Sequence, residues 1–256
     1  LYSAAASDVY KRQDKDLAFL KYCEEDDLRQ LANILICDVS GDGKERITSE
    51  LVQEKRFKAL EGKVDRYRKC WDLIAGELQH YGGDTFVNLF RRGGVFYKEL
   101  LVDACEKIKV KFDKKSSTYE IEDCLLAEVV SRTWKDMDDE QKRKVLDGVG
   151  LDEAMDSAKI DDKLRNAVFS SASASMFLAS TTAGMVAKAV ALNAGMGGVR
   201  YFVARAPVVG LGGPIFWAAL GLSAIPSISG TAYRVTMPAS IQVAYMRRKI
   251  EFNDHF

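Results

Sequence analysis

All four prolines of the 256-residue chain lie after residue 206, so residues 14–206 lack the residue that most strongly breaks a helix. Within this stretch, apolar residues recur at helical spacing, for example at Leu28, Leu31 and Leu35. The pattern predicts helices over residues 14–22, 25–37, 46–61, 63–81, 84–92, 94–112, 117–135 and 138–149. The sequence therefore predicts an all-α fold.

Local patterns refine some helix boundaries. Ser117 with Glu120, and Asp138 with Gln141, match the capping box that begins a helix. Residues 107–115 alternate basic and apolar side chains. That alternation is typical of a short strand, but the fraying end of the preceding helix would give the same pattern.

Charge is distributed unevenly along the chain, although the formal net charge is zero. No Asp or Glu occurs from Lys163 to Ile250, whereas nine Lys and Arg do. Because only Glu251 and Asp254 follow, residues 163–256 carry a formal charge of +7 and residues 1–162 carry −7. This segregation predicts a boundary near residue 162 between an acidic soluble part and a basic part.

The beginning of the chain differs from the rest. Residues 8–13 read as the translated end of a common transposase sequencing adapter, and the Ser/Ala run before them resembles more of it. We therefore expect residues 1–13 to be an artefactual tail. The remaining chain is predicted to comprise a short N-terminal helical domain (14–50), an acidic helical domain (51–162) and a basic Gly/Ala-rich helical region (163–256).

Glu77 and His80 are three residues apart on a predicted helix, the spacing used in di-iron helical bundles. Such a site needs a second copy of the motif, and the other histidine, His255, has no Glu three residues before it. The structural alternative is a helix ending at residues 82–83, a new helix capped at residue 84 or 85, and local hydrogen bonding by His80. A metal site at Glu77 and His80 is kept as an alternative hypothesis.

Two uncharged stretches characterise the basic region. Residues 166–187 are long enough to span a bilayer at about 1.5 Å per residue, but they are rich in Ser and Thr, so packing between helices explains them equally well. Residues 206–233 form a second stretch of 28 uncharged residues, in which Pro214 and Pro226 limit a regular helix to about 214–225. We predict a Gly/Ala-rich hydrophobic helical hairpin here, followed by a C-terminal helix.

Basic residues flank this hairpin, and cations near a membrane surface favour anionic headgroups by about 1 kcal/mol each. Arg247, Arg248 and Lys249 add to the flank on the C-terminal side. The cations are spaced among apolar residues rather than clustered, which disfavours nucleic acid as a partner. The residues predicted to contact lipid or a membrane protein are Arg200, Arg205, Phe216, Trp217 and Arg234.

The common catalytic signatures are missing from the sequence: it has no GxSxG, no Walker loop and no HExxH. The five cysteines are scattered and form no CxxC pair, which indicates reduced, buried thiols. These observations predict a protein that is not an enzyme and holds no cofactor.

Several segments together resemble a known family. Residues 71–101, 117–122, 133–137 and 230–238 closely resemble the bacterial YaaW family, and residues 16–28 resemble the short domain that precedes YaaW domains. The resemblance spans nearly all of residues 14–250. It implies a helical fold and, through the grouping of this family with ubiquinol–cytochrome c chaperones, chaperone-like help in assembling a membrane complex. It implies no catalytic residues.

The sequence thus predicts a non-enzymatic, membrane-associated interaction protein that assists assembly of a membrane complex or takes part in a stress or defence response. Its partners would be membrane lipid or a membrane protein, together with a protein that the sequence does not identify. The expected location is the cytoplasm, either at the periphery of the inner membrane or inserted in it. A soluble helical metalloprotein using Glu77 and His80 is the alternative.

Overall fold

The computed structural model describes residues 14–36, 49–85, 95–134, 137–151, 160–194 and 233–254. Within these ranges the chain forms helices and no strand, which confirms the all-α prediction for this part of the chain. Short 3-10 helices cover Ala18–Tyr22, Leu51–Gln53 and Arg68–Cys70. The α-helices are α1 (Glu25–Ile36), α2 (Lys55–Ala59), α3 (Trp71–Thr85), α4 (Tyr97–Lys107), α5 (Thr118–Trp134), α6 (Asp139–Val149), α7 (Ile160–Ser170), α8 (Ala172–Ala194) and α9 (Tyr233–Asp254).

Helices with a clear capping signal begin where the sequence predicts. At α6, the Asp138 side chain accepts from the Gln141 backbone N–H and the Gln141 side chain accepts from the Asp138 N–H, which completes the capping box. At α5, Glu120 accepts from the backbone N–H and the hydroxyl of Ser117. These signals predict well because both partners lie within one helical turn.

Several predicted boundaries are wrong. The helix expected over 63–81 begins only at Trp71, and the helix expected over 94–112 covers only Tyr97–Lys107. The expected helix over 14–22 contains only the 3-10 turn Ala18–Tyr22, and the expected helix over 46–61 is interrupted by extended backbone at Glu54 (ψ 128°). The predicted end at residues 82–83, with a new helix capped at residue 84 or 85, is also wrong, because α3 continues to Thr85. Glycine weakens a helix by about 1 kcal/mol but does not prevent one from forming.

The segment after α4 is neither a strand nor the end of a helix. Lys109 has a positive φ of 58°, which stops the helix just after Lys107. Ile108 and Val110 are buried, whereas Lys109 and Lys111 are exposed. The alternating pattern therefore reflects an irregular segment that packs its apolar side chains on the core and exposes its lysines.

The C-terminal helix α9 is the hub of the fold. It packs against α8, α1, α5, α4 and α3, and its contact with α8 is the most extensive between any two helices in the described ranges. Arg248, near the C-terminal end of α9, bonds to Ser175, near the N-terminal end of α8. Since α8 and α9 pack along their lengths, this contact means that they run antiparallel.

Residues 166–187, which the sequence allowed to be a membrane span, divide between α7 and α8. Residues 181–187 of α8 are all buried against other parts of the protein, which favours the packing alternative. None of the helices in the described ranges combines the length and the apolar character needed to cross a bilayer. The predicted Gly/Ala-rich hairpin falls in residues 195–232, outside the described residues.

One hydrophobic core draws on both sides of residue 162. It includes Leu28 of α1, Leu100 of α4, Val130 of α5, Leu178 of α8 and Ile241 of α9, each at most 2% exposed. Within the described residues, the acidic and basic parts of the sequence therefore share a core. The predicted domain boundaries at residues 50 and 162 stay predictions.

The left-handed backbone at Gly150 generates a test of the α6 C-cap. Gly150 has a φ of 72° and its N–H bonds to the carbonyls of Leu146 and Asp147. We expect Gly150→Ala to lower the free energy of unfolding by about 1 kcal/mol, because an L side chain is disfavoured at this φ. Urea denaturation would measure the change. Gly150→Asn is the control and should cost less, since Asn tolerates this conformation; equal stability of the Ala variant and the wild type would contradict the assignment.

Candidate functional site

The most concentrated set of buried charges in the described residues lies between α5 and α9. Glu122 and Asp123 of α5 face Arg247 and Arg248 of α9, and both carboxylates and Arg248 are at most 2% exposed. Arg248 Nη2 lies 2.8 Å from Asp123 Oδ1, and its Nη1 bonds to Glu122. Arg247 Nε lies 3.1 Å from Glu122 Oε2. Two cations thus balance two anions; we call these four residues the α5–α9 charge cluster.

The remaining hydrogen-bonding groups of Arg248 are also used. Nη2 donates to the Tyr119 carbonyl at 2.8 Å, and Nε lies 3.2 Å from Ser175 Oγ. The Ser175 hydroxyl donates to Asp123 Oδ1 at 2.7 Å, and the guanidinium lies over the Tyr119 ring at 3.8 Å. Because buried charges are stable only when they are paired and hydrogen-bonded, this geometry accounts for their burial.

The cluster extends to the N-terminal segment and α4. Tyr97, the first residue of α4, is fully buried and donates its hydroxyl to Glu122 Oε1 at 3.0 Å. The Asp14 carboxylate accepts from the Tyr97 N–H, and the Asp16 carbonyl accepts from Arg247 Nη2 at 2.8 Å. Five parts of the chain, from Asp14 to Arg248, therefore meet at one point.

The electrostatics follow from burial and pairing. Burial by itself lowers the pKa of Arg248, but Glu122 and Asp123 reverse that effect and raise the pKa above its ordinary value, so the guanidinium stays charged. Burial, reinforced by Glu122, raises the pKa of Tyr97 well above its ordinary value. Tyr97 therefore stays a protonated hydrogen-bond donor to Glu122.

Lys249 is also paired, through carboxylates at the start of α1. Its Nζ lies 2.6 Å from Glu24 and 2.8 Å from Asp27. The prediction that Arg247, Arg248 and Lys249 belong to a basic membrane flank is wrong, because all three are paired within the protein. Their charges are neutralised by acidic residues that the fold brings from more than a hundred residues away.

The predicted metal ligands are paired with residues 49–51 of the same chain. Glu77 is 1% exposed and accepts from Ser49 Oγ at 2.8 Å and from the Leu51 N–H at 2.9 Å. His80 Nε2 lies 3.8 Å from Glu50 Oε1. Across the residues that the structure describes, no three His, Cys, Asp or Glu side chains gather as metal ligands would. Glu77 therefore fixes the segment at residues 49–51, and its role as a metal ligand stays a prediction.

The residues predicted to contact a membrane are not described. Arg200, Arg205, Phe216 and Trp217 lie outside the described residues, and Arg234 belongs to α9 but its side chain is not described. Their roles stay predictions.

The four cysteines within the described ranges, Cys23, Cys70, Cys105 and Cys124, are buried and free, as the sequence predicted. Burial raises the pKa of each thiol above its ordinary value. These thiols therefore stay protonated, which is the unreactive form.

The α5–α9 charge cluster was not predicted from the sequence. One signal was present: Glu122 and Asp123 are adjacent acids in a helix that is otherwise mostly apolar from Ile121 to Val130. Adjacent carboxylates on a largely buried helix require a cationic partner, and the pair Arg247-Arg248 lies in the acid-free region.

Comparison with known proteins establishes the family. A family model described as a domain of unknown function (DUF3944) matches residues 12–47. The UPF0174 protein YaaW of Escherichia coli K12 is 37% identical over 242 residues, covering 93% of this chain and 95% of the relative. A UPF0174 protein of Helicobacter pylori J99 is 34% identical over 249 residues, covering 94% of this chain and 93% of the relative. No solved structure matches the chain.

These similarities over nearly the whole length define a class of bacterial proteins, and the chain, helical in its described residues, belongs to the UPF0174 (YaaW) family. The predicted family resemblance, including the preceding short domain, is confirmed. The names of these relatives state no biochemical activity.

Breaking the buried ion pairs of the α5–α9 charge cluster should cost much more stability than breaking an exposed ion pair. Replacing Arg248 with Met leaves Glu122 and Asp123 buried without their main cation, and should lower the free energy of unfolding by about 3–5 kcal/mol. Arg248→Met combined with Asp123→Asn should lose less stability, because it leaves one fewer buried charge without a partner. Urea denaturation would measure both.

The control is the exposed pair of Arg29 and Asp26, with side chains 43% and 45% exposed. Arg29→Met should cost less than about 1 kcal/mol. If Arg248→Met cost as little as the control, the cluster would not hold α9 in place.

Glu77 generates a pH test. Burial raises the pKa of Glu77 above its ordinary value of 4.5, against the opposing effect of hydrogen bonds from Ser49 and Leu51. The folded state therefore binds this proton more tightly, and the stability it contributes is full below pH 4.5 and lost as pH rises through the raised pKa. Relative to Glu77→Gln, the wild type should gain stability as pH falls through this window, as measured by denaturation at several pH values.

Glu77→Ala serves as the comparison. It removes the acceptor for two buried donors and should cost about 1–3 kcal/mol without reproducing the pH trend. A stability difference between wild type and Glu77→Gln that does not change with pH would contradict the raised pKa.

Proposed function

We propose that the protein acts by binding rather than by catalysis, and that residues 195–232 with their basic flanks contact membrane lipid or a membrane protein. The helical body is proposed to act as the scaffold that carries this segment. The family grouping noted above suggests the setting: chaperone-like assembly of a membrane complex, or a stress or defence response.

The observation that carries this proposal is the antiparallel pairing of α8 and α9. Residues 195–232 connect Ala194, the last residue of α8, to Tyr233, the first residue of α9. Because the two helices are antiparallel, both ends of this 38-residue segment attach at the same end of the helix pair. A segment anchored in this way is suited to reach a surface without rearranging the body.

The composition of the segment adds support. Residues 206–233 carry no charge, and Arg200, Arg205 and Arg234 flank this stretch. Uncharged segments with cationic edges suit the boundary between acyl chains and anionic headgroups. Phe216 and Trp217 are the largest side chains in the centre of the stretch, and aromatic rings favour that boundary.

The contacts between ionisable groups of the helical body also support a scaffold role. The acids and bases of the α5–α9 charge cluster are bonded to one another across helices, and Glu77 is bonded to the segment at residues 49–51. Groups held in such contacts stabilise the arrangement of helices.

The proposal is tested by flotation of the full-length chain with vesicles of phosphatidylcholine, with and without an anionic phospholipid. The wild type should float with anionic vesicles. The double variant Phe216→Ser, Trp217→Ser should partition at least about 100-fold less, because each buried aromatic side chain contributes about 1.5–3 kcal/mol. Tyr22→Ser, which removes an aromatic ring that is 67% exposed on the body, is the control and should float like the wild type.

If the wild type stays unbound with every vesicle, the membrane-lipid part of the proposal fails. If wild type and double variant float equally, the contact is made elsewhere on the chain.

A further inference from the structure

Residues 107–115, which we call the lysine loop, contain five lysines in nine residues: Lys107, Lys109, Lys111, Lys114 and Lys115. The contacts of the α5–α9 charge cluster do not involve the loop. It begins with the last residue of α4 and leads to α5.

The backbone of the lysine loop is held in place by arginines of two neighbouring helices. Arg132 of α5 donates to the Ile108 carbonyl, and Arg165 of α7 donates to the Lys111 carbonyl at 2.5 Å. With Ile108 and Val110 buried beneath it, the loop presents Lys109 and Lys111 outward from a fixed backbone. The lysines are therefore displayed by the fold at a defined place.

The nearby carboxylates do not neutralise Lys109 and Lys111. Glu128 pairs with Arg132 at 2.8 Å and with Arg165 at 3.3 Å, and Glu106 pairs with Lys114. Within the described part of the chain, neither Lys109 nor Lys111 has a side-chain hydrogen bond or ion pair. Asp113, within the loop, accepts from the Lys115 N–H at 2.9 Å. The five lysines with Arg132 and Arg165 outnumber the carboxylates of Glu106, Asp113 and Glu128, so the surface around the loop keeps an excess of positive charge although the chain as a whole is neutral.

The loop also lies at the base of the segment that the proposed function assigns to membrane contact. Lys107 Nζ is 5.0 Å from the centre of the Tyr233 ring, and the Tyr233 hydroxyl donates to Asp103 of α4 at 2.6 Å. Tyr233 is the first residue of α9 and so directly follows residues 195–232. The positive surface is therefore continuous with the point where the uncharged segment rejoins the body.

We propose that Lys107, Lys109 and Lys111 form a binding surface for the headgroups of anionic phospholipids. The inference rests on the proposed function, since a membrane reached by residues 195–232 brings its headgroups to this end of the helix pair. Each lysine near an anionic surface strengthens binding by about fivefold. A nucleic acid would be drawn to the same charge, but the adjoining uncharged segment favours a lipid surface.

The test uses the full-length chain and vesicles of phosphatidylcholine with 30% phosphatidylserine, beside vesicles of phosphatidylcholine alone. The double variant Lys109→Gln, Lys111→Gln should lower partition to the anionic vesicles by about 25-fold and leave the free energy of unfolding unchanged. The control, Lys55→Gln with Lys63→Gln, removes two exposed lysines elsewhere on the body and should bind like the wild type. A short single-stranded RNA and a DNA duplex are tested as alternative ligands.

The outcomes separate the two proposals. If the double variant binds anionic vesicles as tightly as the wild type, the lysine loop is not the headgroup surface, although the proposed function stands. If the wild type binds no vesicle, both proposals fail. If the double variant loses affinity for nucleic acid while vesicle binding is unaffected, the loop binds nucleic acid and the inference is overturned.

Discussion

The pairing of Arg248 with Glu122 and Asp123 is the interaction on which the rest of the structure depends. Taking these charges out of water costs several kcal/mol per ion, so they are tolerated only where every donor meets an acceptor. That condition fixes the position of α9 against α5 and, through Ser175, against α8. Because α9 packs against α8, α1, α5, α4 and α3, its position determines how these helices are arranged.

The α4 helix connects this cluster to the opposite end of the bundle. Its first residue, Tyr97, bonds to Glu122, and its last residue, Lys107, contacts the ring of Tyr233. The start of α9 is therefore anchored by the same helix that completes the buried charge cluster at the other end. In the proposed function, this arrangement keeps the lysine loop at a fixed position relative to the points where residues 195–232 attach.

Some of the structure followed from local chemistry and some did not. The starts of α5 and α6 were predictable because Ser117 with Glu120, and Asp138 with Gln141, satisfy helix ends within one turn. The end of α3 was mispredicted because glycines at residues 82–83 are only weak breakers. The role of Glu77 also escaped prediction, since its spacing to His80 is local whereas its actual partners, Ser49 and Leu51, are more than twenty residues away.

The sequence by itself determined the helical class, the family, the capped helix starts and the separation of acidic from basic charge. Periodicity, capping and composition are properties of neighbouring residues, so they can be read without a structure. Only the tertiary structure decided that Arg247, Arg248 and Lys249 are neutralised inside the protein, whereas Lys109 and Lys111 face outward. A charge in a sequence has no partner until packing brings one within a few ångströms, and here the partners of Arg247 and Arg248 are about 125 residues away.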